Sequence, residues 1–284
     1  MEEVSGILQR SGSAIHYWVA GPKRAPMVAF THGASMDHRM FAAQLAAVWK
    51  AGYRTLRWDI RGHGRSKPLG KVPLTVRDLA EDLQALLDNH LLGRQVCLVG
   101  QALGGHVSQH IVFERPERVA ALVVIGATCV TFPAAPWRTW SSGWSRAGRW
   151  LRSGGELRQR VARASGIVPA VQTYAYDATQ RLSRAELVAA LRAGTGRIRS
   201  DPAYRIEQPL LLVHGEYDGT SGVRRLAPRW AARDPRCRYE VIRRAGHLAH
   251  QDNPGAFNRL LLEFLAEHFP LPRGLHPQPS PPPP

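Results

Sequence analysis

The sequence of 284 residues predicts an α/β fold: a mostly parallel central sheet flanked by helices and interrupted by a helical insertion. Three observations point there. Short, almost uninterrupted apolar runs such as Val119–Ile125 and Leu210–Val213 suit parallel strands buried on both faces. Amphipathic stretches lie between them, the longest being Thr75–Leu92, with Leu79, Leu83, Leu86 and Leu87 on one face. Residues 130 to 205 lack strand patterning and read as several short helices.

The elements follow in order. Ile7–Arg10 and Ile15–Val19 flank Ser11-Gly12-Ser13, which predicts an opening hairpin. Met27–Thr31 is an apolar strand. Asp37 to Trp49 is helical and stops at Gly52, and Thr55–Trp58 is the next strand. Thr75-Val76-Arg77-Asp78 carries N-capping chemistry for the long amphipathic helix. Val96–Gly100 is a buried strand running through a tight turn into a helix that Pro116 ends. Val119–Ile125 is the central strand. After the insertion the core resumes at Pro209, Tyr239–Ile242 forms the last strand, and Ala256–Phe269 is the closing helix. The expected organisation is core over 1–129 and 206–269, a helical cap over 130–205, and a disordered or polyproline tail over 270–284.

Composition narrows the function classes. The length suits one α/β domain with an insertion, and 44% hydrophobic residues is ordinary for a globular chain. Three cysteines, Cys97, Cys129 and Cys237, give neither a disulfide framework nor a C-x-x-C pair. That pattern, with an acidic N-terminus lacking a signal-peptide core, points to a reducing cytoplasm. The net charge of +16 comes almost entirely from arginine, since the lysines are only Lys23, Lys50, Lys67 and Lys71. The arginines are scattered and match no nucleic-acid motif, so neither a nucleic-acid nor a membrane partner is expected; attraction of anionic ligands stays open. No metal-ligand spacing is found and no cofactor is expected.

The chemistry concentrates in three places. Gly100-Gln101-Ala102-Leu103-Gly104 has the strand-turn-helix context of a nucleophile elbow, G-x-S-x-G, with alanine where the serine belongs. Small residues there let strand and helix approach closely, and the helix N-terminus favours negative charge. An acid, Asp218, follows the apolar run Leu210–Val213, and His247 follows the last strand. Nucleophile position, acid and histidine therefore stand in the order 102, 218, 247, each behind a strand and so along one sheet edge.

On these residues the chain resembles the α/β-hydrolase family, in its capped single-domain branch. Thr31-His32-Gly33-Ala34 is similar to the family's oxyanion loop, and Asp59-Ile60-Arg61-Gly62-His63-Gly64-Arg65-Ser66 and His247–Pro254 match further family segments. The resemblance covers roughly residues 5 to 268. It implies a triad of position 102, Asp218 and His247, with oxyanion donors at the amides of Ala34 and Leu103. Ala102 departs from it and removes the nucleophile.

Each residue has a competing reading. Glu216 lies two residues before Asp218, but the resemblance favours Asp218 as the acid. His250, a helical turn beyond His247, reads as a structural hydrogen-bonding histidine, and His32 as a holder of the oxyanion loop. Residues 61–66 lack both phosphate-loop patterns and read as a structural turn. Trp137, Trp140 and Trp144 share a helix face in the insertion. They serve cap packing, a pocket wall, or both, and with Cys129 they are the expected pocket residues. An aromatic cap favours a bulky apolar or aromatic ester or lactone as the small-molecule partner.

The resulting expectation is a serine hydrolase of carboxylic esters or lactones, held inactive by a Ser-to-Ala exchange, most simply an engineered one. The alternative is a hydrolase-fold protein with no hydrolytic role, either a ligand-binding pseudo-enzyme or a cyclase-type tailoring enzyme. The intact acid and histidine favour the first.

Overall fold

A computed structural model of the chain describes residues 3–70, 74–91, 93–132, 154–193, 201, 203–220 and 222–272. Eight strands form one sheet: β1 (Glu3–Arg10), β2 (Ser13–Ala20), β3 (Met27–Thr31), β4 (Arg54–Trp58), β5 (Val96–Gln101), β6 (Val119–Ile125), β7 (Leu210–Gly215) and β8 (Cys237–Ile242). Their spatial order is β1-β2-β4-β3-β5-β6-β7-β8. β1 pairs antiparallel with β2, and β2 with β4; every later pairing is parallel.

The helices are α1 (Ala42–Lys50), α2 (Val76–Leu91), α3 (Leu103–Glu114), α4 (Gly154–Ser165), α5 (Pro169–Gln180), α6 (Arg184–Ala193), α7 (Val223–Arg233), the short α8 (Ala249–Asp252) and α9 (Pro254–His268). Every residue of β3, β5 and β7 is buried, as their continuous apolar runs require. Alternate side chains feed two cores. On one face Ala29, Leu98 and Leu212 meet Leu79 and Leu83 of α2, Val107 of α3 and Trp230 of α7. On the other, Phe30, Val99 and Val213 meet Leu45 of α1 and Phe257 and Phe264 of α9.

The structure bears out the predicted fold class, with β3 and β6 ending where the sequence placed them. Three differences have physical causes. The stretch from Asp37 is a 3-10 turn (His38–Phe41) before α1 begins, with Asp37 capping it through Arg39 N at 3.1 Å. β8 starts two residues early and is mostly half-exposed, because it is the sheet edge. α7 went unread: Pro228 and its arginines obscure the buried stripe Val223, Ala227 and Trp230.

The three described helices of the insertion, α4 to α6, dock onto the core by polar ties. Arg39 reaches Asp177 of α5 at 2.8 Å, the Tyr174 hydroxyl donates to Asp37 O at 3.2 Å, and Lys67 Nζ meets Glu186 of α6 at 2.8 Å. Trp137, Trp140, Trp144 and the segment from 273 lie outside the described residues. No described helix is long and apolar enough to cross a membrane.

The loop after β4 is anchored by a buried ion pair. Arg61 Nε donates to Asp82 Oδ2 at 2.6 Å, and Arg10 Nε donates to Asp82 Oδ1 at 3.0 Å. Asp82→Ala leaves the Arg61 charge buried and unpaired, so urea unfolding should show a loss of about 3–5 kcal/mol.

Candidate active site

Position 102 lies between the end of β5 and the start of α3. Its backbone sits at φ 45°, ψ −107°, outside the regions comfortable for an L-residue. Two hydrogen bonds hold it there: Ala102 N donates to Ile125 O at 2.9 Å, and His106 N donates to Ala102 O at 3.0 Å. The flanking glycines are dictated by space. A Cβ on Gly100 would lie 2.3 Å from Gly104 O, and one on Gly104 would lie 2.1 Å from Thr31 O. This is the close strand-helix approach that the sequence implied.

Asp218 follows β7 and His247 follows β8. His247 Nδ1 lies 2.9 Å from Asp218 Oδ2 and 2.7 Å from Thr220 Oγ1. The Thr220 hydroxyl donates to Asp218 Oδ1 at 2.6 Å, and the Thr220 amide donates to the same oxygen at 2.9 Å. With its proton committed to the carboxylate, the hydroxyl offers His247 a lone pair. Nδ1 therefore carries the imidazole proton, and Nε2 is left as the basic nitrogen. Burial raises the Asp218 pKa, but the charge and hydrogen bond of His247 and the bonds from Thr220 outweigh it, so the carboxyl titrates below its ordinary value.

The competing residues point elsewhere. Glu216 accepts from Arg244 N at 2.9 Å, on the outer side of the loop. His250 is fully buried, stacked on Phe41 at 4.9 Å and edge-on to Phe257 at 5.8 Å. Burial pushes its pKa down to about 3. His250 is therefore structural, held between the Phe41 and Phe257 rings.

The loop after β3 is held by two neutral histidines. His32 Nε2 accepts from Ile60 N at 2.9 Å, which puts its proton on Nδ1, facing Gly33 O at 2.8 Å. His63 Nε2 accepts from Ser35 N at 3.1 Å, and its Nδ1 faces Arg61 O at 3.1 Å. Burial lowers both pKa values, that of His63 to about 3. Asp59 closes the set by accepting from His38 N at 2.7 Å and Arg65 N at 2.8 Å. His32 thus holds the loop, as expected.

Ala34, Ala102, Leu103 and His247 all line one cavity. Met36 and Leu248 of the core, with Val161 and Ala164 of α4 and Leu191 of α6, extend its apolar wall. Cys129 does not line it and the expectation is corrected. Val130 N donates to Gln109 Oε1 at 3.0 Å and Gln109 Nε2 donates to Thr128 O at 3.1 Å, which fixes the turn. The Cys129 sulfur faces Thr131 Oγ1 at 3.3 Å and Arg233 at 3.2 Å in the core instead.

Three positioning residues escaped the sequence reading. Thr220 could have been noticed as the hydroxyl two residues past the acid, a spacing that closes a local turn. Gln101 packs beneath Gly33, where a Cβ would lie 1.9 Å from its Oε1, and its Nε2 reaches His247 O at 3.4 Å. Asp252 accepts from Gly246 N at 2.7 Å, Ile167 N at 3.0 Å and Val168 N at 3.0 Å, so it ties the histidine loop to the α4–α5 turn. No local pattern announces the last two.

The depressed Asp218 pKa has a stability consequence. A group held below its unfolded value contributes stability that is complete above that value, near 3.8 for this carboxyl, and is lost as pH falls through the folded pKa. Asp218→Asn removes the contribution. Urea unfolding at stepped pH should show the chain more stable than the variant by a constant margin above about pH 5, closing on acidification. A margin that grows on acidification contradicts the assignment.

A profile of the Alpha/beta hydrolase family matches residues 28–260. The 3-oxoadipate enol-lactonase 1 of Acinetobacter baylyi is 24% identical, over 93% of this chain and 98% of that protein. The carboxylesterase YbfK of Bacillus subtilis is 26% identical, over 88% of this chain and 83% of that protein. The crystal structure of a hydrolase from Pseudomonas aeruginosa PA01 superposes with a TM-score of 0.78 at 26% identity, covering 92% of this chain and 98% of that one.

Proposed function

The chain belongs to the alpha/beta hydrolase family, and from that premise we propose that it is a carboxylic ester or lactone hydrolase in nucleophile-deleted form. The observation that carries the reading is the intact Asp218–Thr220–His247 array, opening on the same cavity as the strained Ala102. The names of the two relatives, an enol-lactonase and a carboxylesterase, support the ester or lactone class.

With serine at 102, His247 Nε2 takes the hydroxyl proton as the oxygen attacks the substrate carbonyl, and Asp218 stabilises the imidazolium that forms. The amides of Leu103, at the N-terminus of α3, and of Ala34 receive the oxyanion. His247 returns the proton to the leaving group. It then activates water to release the acid from the acyl-enzyme. With alanine at 102 the first bond cannot form. What remains is a site that binds an ester or lactone intact, its carbonyl oxygen toward the two amides, because binding by remote parts of the substrate does not need the nucleophile.

The described apolar wall from Met36, Val161, Ala164 and Leu191 favours a bulky apolar or aromatic group beside the ester, under helices α4 and α6. Ala102 is read as replacing a serine by design, and a serine codon in the parental gene is the matching finding. The same alanine is what favours the second reading, a non-hydrolytic ligand-binding or cyclase-type protein.

Ala102→Ser decides between them. The serine form should hydrolyse p-nitrophenyl esters at least about 10³-fold faster than the chain itself, since a triad serine elsewhere is worth about 10⁶ in turnover. It should also be labelled by a serine-reactive phosphonate. A serine form that is inert across acyl lengths and unlabelled overturns the hydrolase reading. In the serine form, adding Thr220→Val should lower kcat roughly threefold to tenfold with little change in KM, as one hydrogen bond to the Asp218–His247 pair is lost.

A further inference from the structure

A second cavity, of about 230 Å³, opens at the end of the sheet opposite Ala102. Met27 and Arg54, the first residues of β3 and β4, form its floor with Leu91 at the end of α2. Lys23 and Arg24 from the β2–β3 loop, His90, Arg94 and Phe269 complete the walls. Charge of one sign therefore meets here from three separate segments.

The cations are oriented without being neutralised. Arg54 donates from Nη1 to Lys23 O at 3.1 Å, and Arg94 donates to Arg24 O at 2.7 Å and Lys23 O at 3.1 Å. These partners are neutral carbonyls. Among the described residues no carboxylate pairs with Arg54, Arg94, Lys23 or Arg24. Arg54 Nε and His90 Nε2 are withdrawn from solvent and have no hydrogen-bond partner among the described residues. Burial and the neighbouring Arg94 lower the Arg54 pKa, and burial and Arg54 lower that of His90, so the groups work against one another.

Like charges gathered in one cleft repel one another, and an oxyanion relieves that repulsion. We propose that this cleft binds a small anion, a phosphoryl or carboxylate group with a compact organic body. The guanidinium groups of Arg54 and Arg94 donate to its oxygens, Lys23 supplies charge at the rim, and the body rests on Met27, Leu91 and Phe269. The site lies at the amino end of the strands, away from the Asp218–His247 pair at the carboxyl end. It does not depend on the hydrolase reading.

The test is titration of the full chain with inorganic pyrophosphate at ionic strength held constant with sodium chloride. Calorimetry should give saturable binding at one site, and the His90 ring resonance, assigned by its loss in His90→Gln, should move with the same saturation. Arg54→Gln and Arg94→Gln should each weaken binding about tenfold, the scale of a charged hydrogen bond. Arg94 is exposed and bonds only loop carbonyls, so its variant keeps the fold and the test stays informative if Arg54→Gln unfolds. A citrate arm separates carboxylate from phosphoryl recognition, the tighter ligand naming the class. A non-saturable response, a chloride control of equal size, or full affinity in Arg94→Gln overturns the proposal.

Discussion

The backbone at position 102 is the constraint from which the site geometry follows. A non-glycine residue at φ 45° costs about 1–3 kcal/mol and persists only where its surroundings over-determine it. Here they do. The amide and carbonyl of Ala102 are bonded to β6 and to the first turn of α3, and Gly104 is pressed against the end of β3. The turn therefore fixes the start of α3 relative to two neighbouring strands. Residue 102 is presented at the strand ends, beside the free amides of the helix terminus. None of this needs a hydroxyl. Alanine, the smallest residue with a Cβ, satisfies the same backbone, so the scaffold persists without the group it would ordinarily present.

The other loops are held by polar groups that are buried yet satisfied. His32 and His63 are neutral, each accepting at Nε2 from a backbone amide. Asp59 and Asp252 do the reverse, accepting from backbone amides of two or more segments. Loops cannot be fixed by apolar burial alone, because their amides need partners. Asp252 makes this a link between layers: one carboxylate binds both Gly246, next to His247, and the α4–α5 turn, and Leu248 N adds a bond to Ser165 O at 2.6 Å. The placement of the imidazole and the seating of the described cap helices are thus coupled through a side chain that touches neither the cavity nor the Asp218–His247 pair.

What the sequence disclosed tracks how local each determinant is. Strands β3 and β6 were legible end to end because a strand buried on both faces must be apolar throughout. The elbow was legible because its glycines answer to contacts within a few residues. Asp218 and His247 were legible because strand ends announce them, and the structure brings the two to 2.9 Å. Thr220 was half-legible, since its turn is local while its role toward His247 is not. Gln101 and Asp252 were illegible: Gln101 reaches His247, 146 residues on, and the Ile167 amide that Asp252 ties to the histidine loop lies 85 residues away. Cys129 was misjudged. A polarisable side chain next to a functional loop invites a functional reading, yet its buried surroundings include Arg233, far along the chain. Helix α7 was hidden because Pro228 reads as a breaker although its position in the helix spares the fold.

The two ends of the sheet also divide the chemistry of the molecule. At the carboxyl end the imidazoles of His32 and His63 are neutral and the carboxylates of Asp59 and Asp218 are saturated with donors, so the cavity beside Ala102 is framed by apolar walls and amides. A neutral carbonyl that becomes negative only during reaction suits that frame. At the amino end the arrangement is inverted: guanidinium groups meet with carbonyls as their only described partners. A net charge of +16 does not by itself say where anions bind, because most arginines are solvated and screened. Convergence with Arg94, Lys23 and Arg24 and the absence of a carboxylate partner among the described residues single out Arg54 from that background. Charge excess written across the whole sequence thus acquires a location only where the fold gathers it without carboxylates.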